Sequence, residues 1–184
     1  MTVEEIFKDL SAHMIKGVMV HEQMTNYYDF LGLCGYRKCH EYHMHKEMSS
    51  LRNLHKYFMH HFNRLIEESQ FSNPDLIPSS WYRYTRQDVD ANTKRSAVKS
   101  AFEKWVSWEK DTKDLYERMY KELMELGEVA AAEKMTCFIH DVDHELKKAE
   151  KKHLNLLAVD FSISYIIGDQ EHMYDKYADK MRES

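Results

Sequence analysis

The sequence predicts an all-α protein built from long helices. Its 184 residues include only 5 glycines and 2 prolines, whereas good helix formers such as glutamate, lysine, methionine, leucine and alanine are abundant. Apolar side chains recur every three or four residues along four long stretches, which is the spacing of a buried helix face. No change in composition divides the chain, so one domain with one core is expected.

The first two helices are predicted to form a hairpin. Thr2-Val3-Glu4-Glu5 has the pattern of a capping box, so the first helix is expected to begin there. Its apolar face stops at Leu31, where the glycines of Leu31-Gly32-Leu33-Cys34-Gly35 indicate a turn. A second helix is then expected from Tyr36 to about Glu68.

A long connection follows the second helix, over about 70–91. It contains Pro74 and Pro78 and has no helical periodicity. Such a segment of about twenty residues reaches at most about 70 Å when extended, whereas a helix of about 30 residues is about 45 Å long. The connection can therefore return along the whole bundle, which permits an up-down-down-up order of helices.

Two further helices and a tail complete the predicted architecture. The third helix has its apolar face from Ala97 to Leu123, and the fourth is expected to run from about Ala131 towards Ile167. Residues 1–167 then form a four-helix bundle with one long crossover. Residues 168–184 form a short C-terminal amphipathic helix, too short to be stable alone, that should dock on the bundle or on a partner subunit.

Charge and composition argue against several classes of partner. With 26 basic and 31 acidic residues the net charge is −5, which gives no electrostatic reason to bind nucleic acid or an anionic membrane. No stretch approaches the ~20 apolar residues of a membrane span, and no signal peptide is recognisable. Cys34, Cys39 and Cys137 form no CxxC pair and suit free thiols, so a cytoplasmic location is expected.

Ionisable side chains fall on the inward face of every predicted helix. The segment CHEYHMHKE, which begins at Cys39, places three of them on the apolar stripe of the second helix. On the first helix, His21 lies at the centre of the face and Glu22 about 100° away, and a local bend could exchange the two. The complete inward set is His21 or Glu22, His40, His43, Glu47, Glu109, Glu150 and His153, with Glu145 at the opposite edge of the fourth helix's face.

Two explanations account for so many buried ionisable groups. An unpaired buried charge costs roughly several kcal/mol, so the groups must bind one another or a shared cation. Carboxylate oxygens and neutral imidazole nitrogens suit iron, manganese or zinc, and the charge of a metal removes the repulsion between carboxylates. If the fourth helix ends near Ile167, residue counting places His21, Glu47, Glu109 and Glu150 at one height.

The chain resembles the ferritin-like superfamily, in particular the rubrerythrin and bacterioferritin type of bundle. Glu150-x-x-His153 is similar to one Glu-x-x-His of that family, and Glu109 to one of its single glutamates. His21-Glu22 followed by Tyr27-Tyr28 is similar to its first-helix glutamate and the tyrosines that follow. The second helix departs from the pattern, because its two histidines precede Glu47 in the reverse order.

The resemblance implies a non-haem centre of one or two iron or manganese ions that oxidises Fe(II) or reduces peroxide or dioxygen. No organic cofactor is expected. Since the chain has no paired CxxC motifs, a redox centre would need a separate electron donor, and a homodimer is expected on general grounds. The alternative is a ferritin-like scaffold without metal, which acts as an interaction module and whose buried polar network only sets helix register.

Overall fold

The computed structural model describes residues 1–66 and 84–183 and confirms the all-α prediction. Five α-helices account for most of these residues, and no strand occurs among them. The helices are α1 (Val3–Phe30), α2 (Cys34–Phe62), α3 (Ala91–Glu125), α4 (Val129–Ala158) and α5 (Ile163–Glu183), with one short 3-10 turn at Arg86–Asp88. Most of the predicted crossover, 70–91, lies outside the described residues.

The ends of the first helix pair follow from local chemistry. The capping box forms as predicted, because the Glu5 amide donates to Thr2 Oγ1 at 3.2 Å and the Thr2 amide donates to Glu5 Oε2 at 2.7 Å. The predicted end of α2 at about Glu68 is wrong. Asn63 adopts a left-handed conformation with φ 52°, which asparagine tolerates better than most residues and which ends the helix at Phe62.

The helices run up, down, down and up. Tight turns join α1 to α2 and α3 to α4, so each pair is an antiparallel hairpin. His13 near the start of α1 stacks on Trp108 of α3, whereas Tyr28 near the end of α1 packs against Phe102, which is earlier in α3. The helices α1 and α3 are therefore antiparallel, and α2 is parallel to α3. This order requires the long crossover that the sequence predicted.

The fourth helix ends earlier than predicted. It stops at Ala158 rather than near Ile167, because Asp160 and Phe161 both take positive φ angles, 49° and 50°. Such angles are uncommon for residues other than glycine and reverse the chain direction here. As a result the C-terminal helix α5 begins at Ile163 and is longer than the tail predicted from residue 168.

Helix α5 packs along α2. Its backbone comes so near that a Cβ atom on Gly35 would lie 1.6 Å from the carbonyl oxygen of Gln170. The Gly35 amide donates to Gln170 Oε1 at 2.9 Å, and the Tyr36 hydroxyl donates to Asp169 Oδ2 at 2.8 Å. The ammonium group of Lys152 binds the other oxygen of Asp169 at 2.6 Å. The expectation that the tail docks on the bundle is therefore met within one chain.

Two apolar clusters fill the bundle, one at each end. The first includes Met24, Tyr28 and Phe102, and the second includes Phe7 and Met119. Between them along α1 lies the segment that contains His21, so the polar layer of the bundle occupies its middle. Within the described residues, no helix combines the length and the apolar character that a membrane span requires.

Replacing Gly35 would test the close approach of α2 and α5. Gly35→Ala should destabilise the protein by about 1–3 kcal/mol, because the new methyl group meets backbone rather than a flexible side chain. The matched control is Gly168→Ala, since a Cβ atom there would have nothing within 4 Å. This variant should leave stability unchanged or raise it by up to about 1 kcal/mol, because alanine favours the helix α5. Urea unfolding would measure both, and equal free energies of unfolding for the two variants would contradict the close packing.

Candidate carboxylate and histidine centre

Four side chains meet at one height because the two hairpins are symmetric about their turns. His21 lies nine residues before the end of α1, and His43 nine residues after the beginning of α2. Glu109 lies sixteen residues before the end of α3, and Glu145 sixteen residues after the beginning of α4. In an antiparallel hairpin equal counts from the turn give equal heights, and the contact between His21 and Glu109 puts the two hairpins at the same level. Each of the helices α1 to α4 therefore contributes one ionisable group to this layer.

On the side of α1 and α3, His21 faces Glu109. The distance from His21 Nε2 to Glu109 Oε1 is 3.9 Å, and both side chains are buried. The other ring nitrogen, His21 Nδ1, lies 3.0 Å from His40 Nδ1, so one ring donates a hydrogen bond to the other. The indole N–H of Trp105 donates to Glu109 Oε1 at 2.9 Å. These contacts fix the orientation of both the imidazole and the carboxylate.

On the side of α2 and α4, His43 faces Glu145. His43 Nε2 and Glu145 Oε2 are 3.5 Å apart, and both are buried without a hydrogen-bond partner among the described residues. The other oxygen, Glu145 Oε1, lies 3.1 Å from the ammonium groups of both Lys46 and Lys148. Glu145 is therefore neutralised on one side only, and its second oxygen points at an imidazole.

A small cavity joins the two pairs. Its volume is about 30 Å³, and its lining includes His21, His43, Glu47, Glu109 and Glu145, so it has room for about one water-sized group. Glu47 lies one helical turn beyond His43 and reaches the cavity over Gly17, where a Cβ atom would lie 3.4 Å from Glu47 Cδ. The absence of a side chain at Gly17 makes space for this third carboxylate.

Burial shifts the pKa of the ionisable groups around the cavity. It raises the pKa of Glu109 to about 8, with a further contribution from the charge of Glu47, and it raises the pKa of Glu47 to about 7, although Lys46 opposes the shift. Burial also lowers the pKa of His21 to about 4 and that of His43 well below its ordinary value. The imidazoles are therefore neutral at pH 7, with a lone pair available on each ring.

Glu145 behaves differently from the other two carboxylates. Burial would raise its pKa, but the neighbouring ammonium groups of Lys46 and Lys148 more than offset this effect and the pKa is lowered. Glu145 is thus an ionised carboxylate at neutral pH. The cavity combines one ionised carboxylate with two that ionise near or above pH 7.

The structure brings together four of the side chains that the sequence predicted for this site. His21, His43, Glu47 and Glu109 all line the cavity. His40 is buried but lies behind His21, stacked on the Tyr28 ring at a centroid distance of 5.3 Å. Of the alternatives on the first helix, His21 rather than Glu22 faces the core.

Three other predicted residues lie elsewhere. Glu22 accepts a hydrogen bond from Asn26 along the outer face of α1, and Glu150 is exposed. His153 is partly buried next to the Phe161 ring, two turns further along α4 than Glu145. The expected common height of Glu150 with the other groups is therefore wrong. It depended on α4 ending near Ile167, and the helix ends nine residues earlier.

Glu145 is the cavity residue that the sequence analysis left at an edge. The helical wheel places Glu145 and Glu150 at opposite edges of the α4 face, and the Glu-x-x-His pattern favoured Glu150, which is exposed in the structure. Two signals favour Glu145: it lies four residues before the buried Ala149, and Lys148 follows it at a spacing that brings an ammonium group to its carboxylate. Nevertheless, within the described parts of the chain no three His, Cys, Asp or Glu side chains are already gathered as ligands of one ion.

The order of the four bundle helices and the C-terminal helix define a ferritin-like four-helix bundle, as predicted. The chain is similar in structure to a humanized archaeal ferritin, with a TM-score of 0.78 and 13% sequence identity over 93% of this chain and 94% of that one. It is also similar to an engineered closed form of the Archaeoglobus fulgidus ferritin, with a TM-score of 0.76 and 14% identity over 95% and 96% of the two chains.

A third similar structure is the open-pore ferritin of the same archaeon, with a TM-score of 0.76 and 12% identity over 93% of this chain and 94% of that one. No protein-family model and no curated protein sequence matches the chain. At such low identity the three structures show the fold alone.

The raised pKa values predict how stability depends on pH. Between pH 6.5 and 8.5 the folded protein holds protons on Glu109 and Glu47 that the unfolded chain has already released, so stability should fall as pH rises. The two carboxylates alone would lower the free energy of unfolding by about 3 kcal/mol over this range. The buried histidines act in the opposite direction, mainly below pH 6.5 but also just above it, because their pKa values are lowered from about 6.5. The expected net loss for metal-free protein is therefore about 1–2 kcal/mol.

Urea unfolding of chelator-treated protein at several pH values would measure this loss. In Glu109→Gln the fall between pH 6.5 and 8.5 should shrink to less than about 1 kcal/mol, because the group with the higher pKa is gone. The exposed Glu103 on the same helix offers the control Glu103→Gln, which should keep the wild-type slope. A wild-type free energy of unfolding that is flat or rises across this range would contradict the burial of the two carboxylates.

Proposed function

We propose that this chain is a ferritin-like protein that binds iron or manganese in the central cavity. The observation that carries the proposal is the convergence of neutral imidazoles and carboxylates from four helices on one small, partly enclosed space of about 30 Å³. Oxygen and imidazole donors together suit these metals. The three structural neighbours described above are ferritins, which supports an iron-related function for this chain.

The spacing of the donor atoms supports the same proposal. Two ligands bound about 2.1 Å from one ion lie roughly 3.0–4.2 Å apart, according to the angle between them. The His21–Glu109 pair at 3.9 Å and the His43–Glu145 pair at 3.5 Å both fall in this range and are too long for good hydrogen bonds. Glu47 lines the same cavity and supplies a third carboxylate. One ion per pair or one shared ion would each fit this donor set.

The residues behind the cavity would hold the donors in position. Metal binding at His21 Nε2 requires the tautomer in which His21 Nδ1 donates to His40 Nδ1, so His40 would act as the hydrogen-bond partner that orients the ring. Trp105 would do the same for Glu109 through its indole N–H. An iron or manganese ion bound there would supply one-electron chemistry towards peroxide or dioxygen. A homodimer, a separate electron donor and a cytoplasmic location stay predictions.

A metal-free scaffold is the second candidate, and one observation favours it. Lys46 and Lys148 already supply positive charge to Glu145, so part of the role of a metal ion is filled by the protein itself. In that case Glu109 would stay protonated at neutral pH, and the buried polar layer would only fix the register of the four helices.

Metal analysis separates the two candidates. Protein purified without chelator, then loaded with Mn²⁺ or with Fe²⁺ under anaerobic conditions, should hold about one or two equivalents, as measured by elemental analysis and, for Mn²⁺, by EPR. Glu109→Gln keeps the shape of the side chain and removes its charge, so the affinity for Mn²⁺ should fall at least about tenfold. The control Glu103→Gln should bind as the wild type does.

A wild-type content well below one equivalent after loading would reject the metal proposal. Equal Mn²⁺ affinity in Glu109→Gln and Glu103→Gln would place any bound metal elsewhere in the protein. The scaffold interpretation predicts that Glu109→Gln changes stability alone, so a marked loss of metal in that variant would refute it.

A further inference from the structure

A second cavity, of about 280 Å³, lies between α4 and α5. Its lining includes Lys148, Lys151 and Lys152 from α4, Lys176 from α5 and the buried Trp105 of α3. None of the described residues that line it is a carboxylate. We call this cavity the lysine groove, and the proposed metal function does not use it.

The lysines converge because of helix geometry. Residues 148, 151 and 152 have the i, i+3, i+4 spacing that puts side chains on one face of a helix. Helix α5 packs along α2, so its other face, which carries Lys176, is left to form the opposite wall of the groove. Positive charges from two helices therefore border the same space.

The groove has more positive charge than its neighbours neutralise. Lys148 is paired with Glu145 at 3.1 Å and Lys152 with Asp169 at 2.6 Å. In the described part of the chain, Lys151 and Lys176 have no such carboxylate partner, and the Lys176 ammonium group lies 5.5 Å from the Tyr177 ring centroid. This local excess contrasts with the net charge of −5 of the whole chain.

The neighbouring Lys180 responds to the same excess. Partial burial lowers its pKa first, and the charges of Lys148 and Lys176 lower it further. Like charges held close together in a partly enclosed space cost free energy that a bound anion removes. Lys180 therefore adds to the excess of positive charge beside the groove.

We propose that the lysine groove binds a small phosphate-bearing anion. The volume of the groove is about nine times the ~30 Å³ that one water occupies in the liquid, so a phosphate group fits together with a small organic part. Lysine ammonium groups bind phosphate oxygens as point charges through charge-assisted hydrogen bonds. Asn155 and His172 also line the groove and offer polar atoms to the rest of such a ligand.

Calorimetric titration of chelator-treated full-length protein would test the proposal. Inorganic phosphate and AMP, each at constant ionic strength, are the two probes, and the comparison separates free phosphate from an organic phosphate. The double variant Lys151→Gln/Lys176→Gln should weaken binding at least about tenfold. The control Lys110→Gln/Lys121→Gln removes two exposed lysines of α3 and should leave the affinity unchanged.

Each outcome decides the proposal. Saturable binding that is weakened only in the groove variant supports it, and tighter binding of AMP than of inorganic phosphate assigns an organic phosphate as the ligand. Absence of saturation by either probe below about 10 mM, or equal weakening in the groove variant and the control, would overturn it. Because the protein is free of metal in these titrations, failure of the metal proposal would not affect the result.

Discussion

The constraint on which the rest of the structure depends is the placement of ionisable groups in the middle of a four-helix bundle. Two carboxylates and three imidazoles are buried there, and a third carboxylate, Glu47, is half-buried beside them. Apolar clusters above and below separate this layer from the two ends of the bundle, so its buried ionisable groups need partners within the layer. The three carboxylates meet this need differently. Glu145 takes two lysines, Glu109 takes an indole N–H, and Glu47 lies against the space left by Gly17. Glu109 and Glu47 therefore have less positive charge beside them than Glu145 has. A bound cation would lower the free energy most at these two carboxylates.

The sequence predicts which face of each helix is buried better than it predicts the height of each side chain along the bundle. The inward faces of the helices follow from a 3.6-residue period, which correctly predicted that His21, His43 and Glu109 are buried. Heights along the bundle depend on where each helix ends, and those ends were harder to predict. In α4 the end is set by positive φ angles at Asp160 and Phe161. Aspartate adopts that conformation more readily than most residues, but Phe161 carries no signal for it.

In the first hairpin, too, a small error in the position of the turn changes the predicted heights of the side chains. Counting residues from Cys34 pairs His21 with Glu47, whereas the turn lies between Phe30 and Cys34 and pairs His21 with His43. The difference is one helical turn, and it decides which side chains face each other. On the first hairpin the sequence therefore identifies His21, His40 and His43 as buried, but not their partners across the bundle.

The early end of α4 also explains why the fifth helix matters to the site. Because the chain reverses at Asp160 and Phe161, α5 can begin at Ile163 and lie along α2. Its Tyr177 is buried there, with its ring centroid 5.9 Å from that of His43, so α5 covers the central layer from outside the four-helix core. The same placement forms one wall of the lysine groove, whose Lys148 also binds Glu145. One backbone reversal thus lets α5 cover the carboxylate and histidine layer and also form the charged groove beside it. The ammonium group of Lys148 belongs to both, because it binds Glu145 and lines the groove.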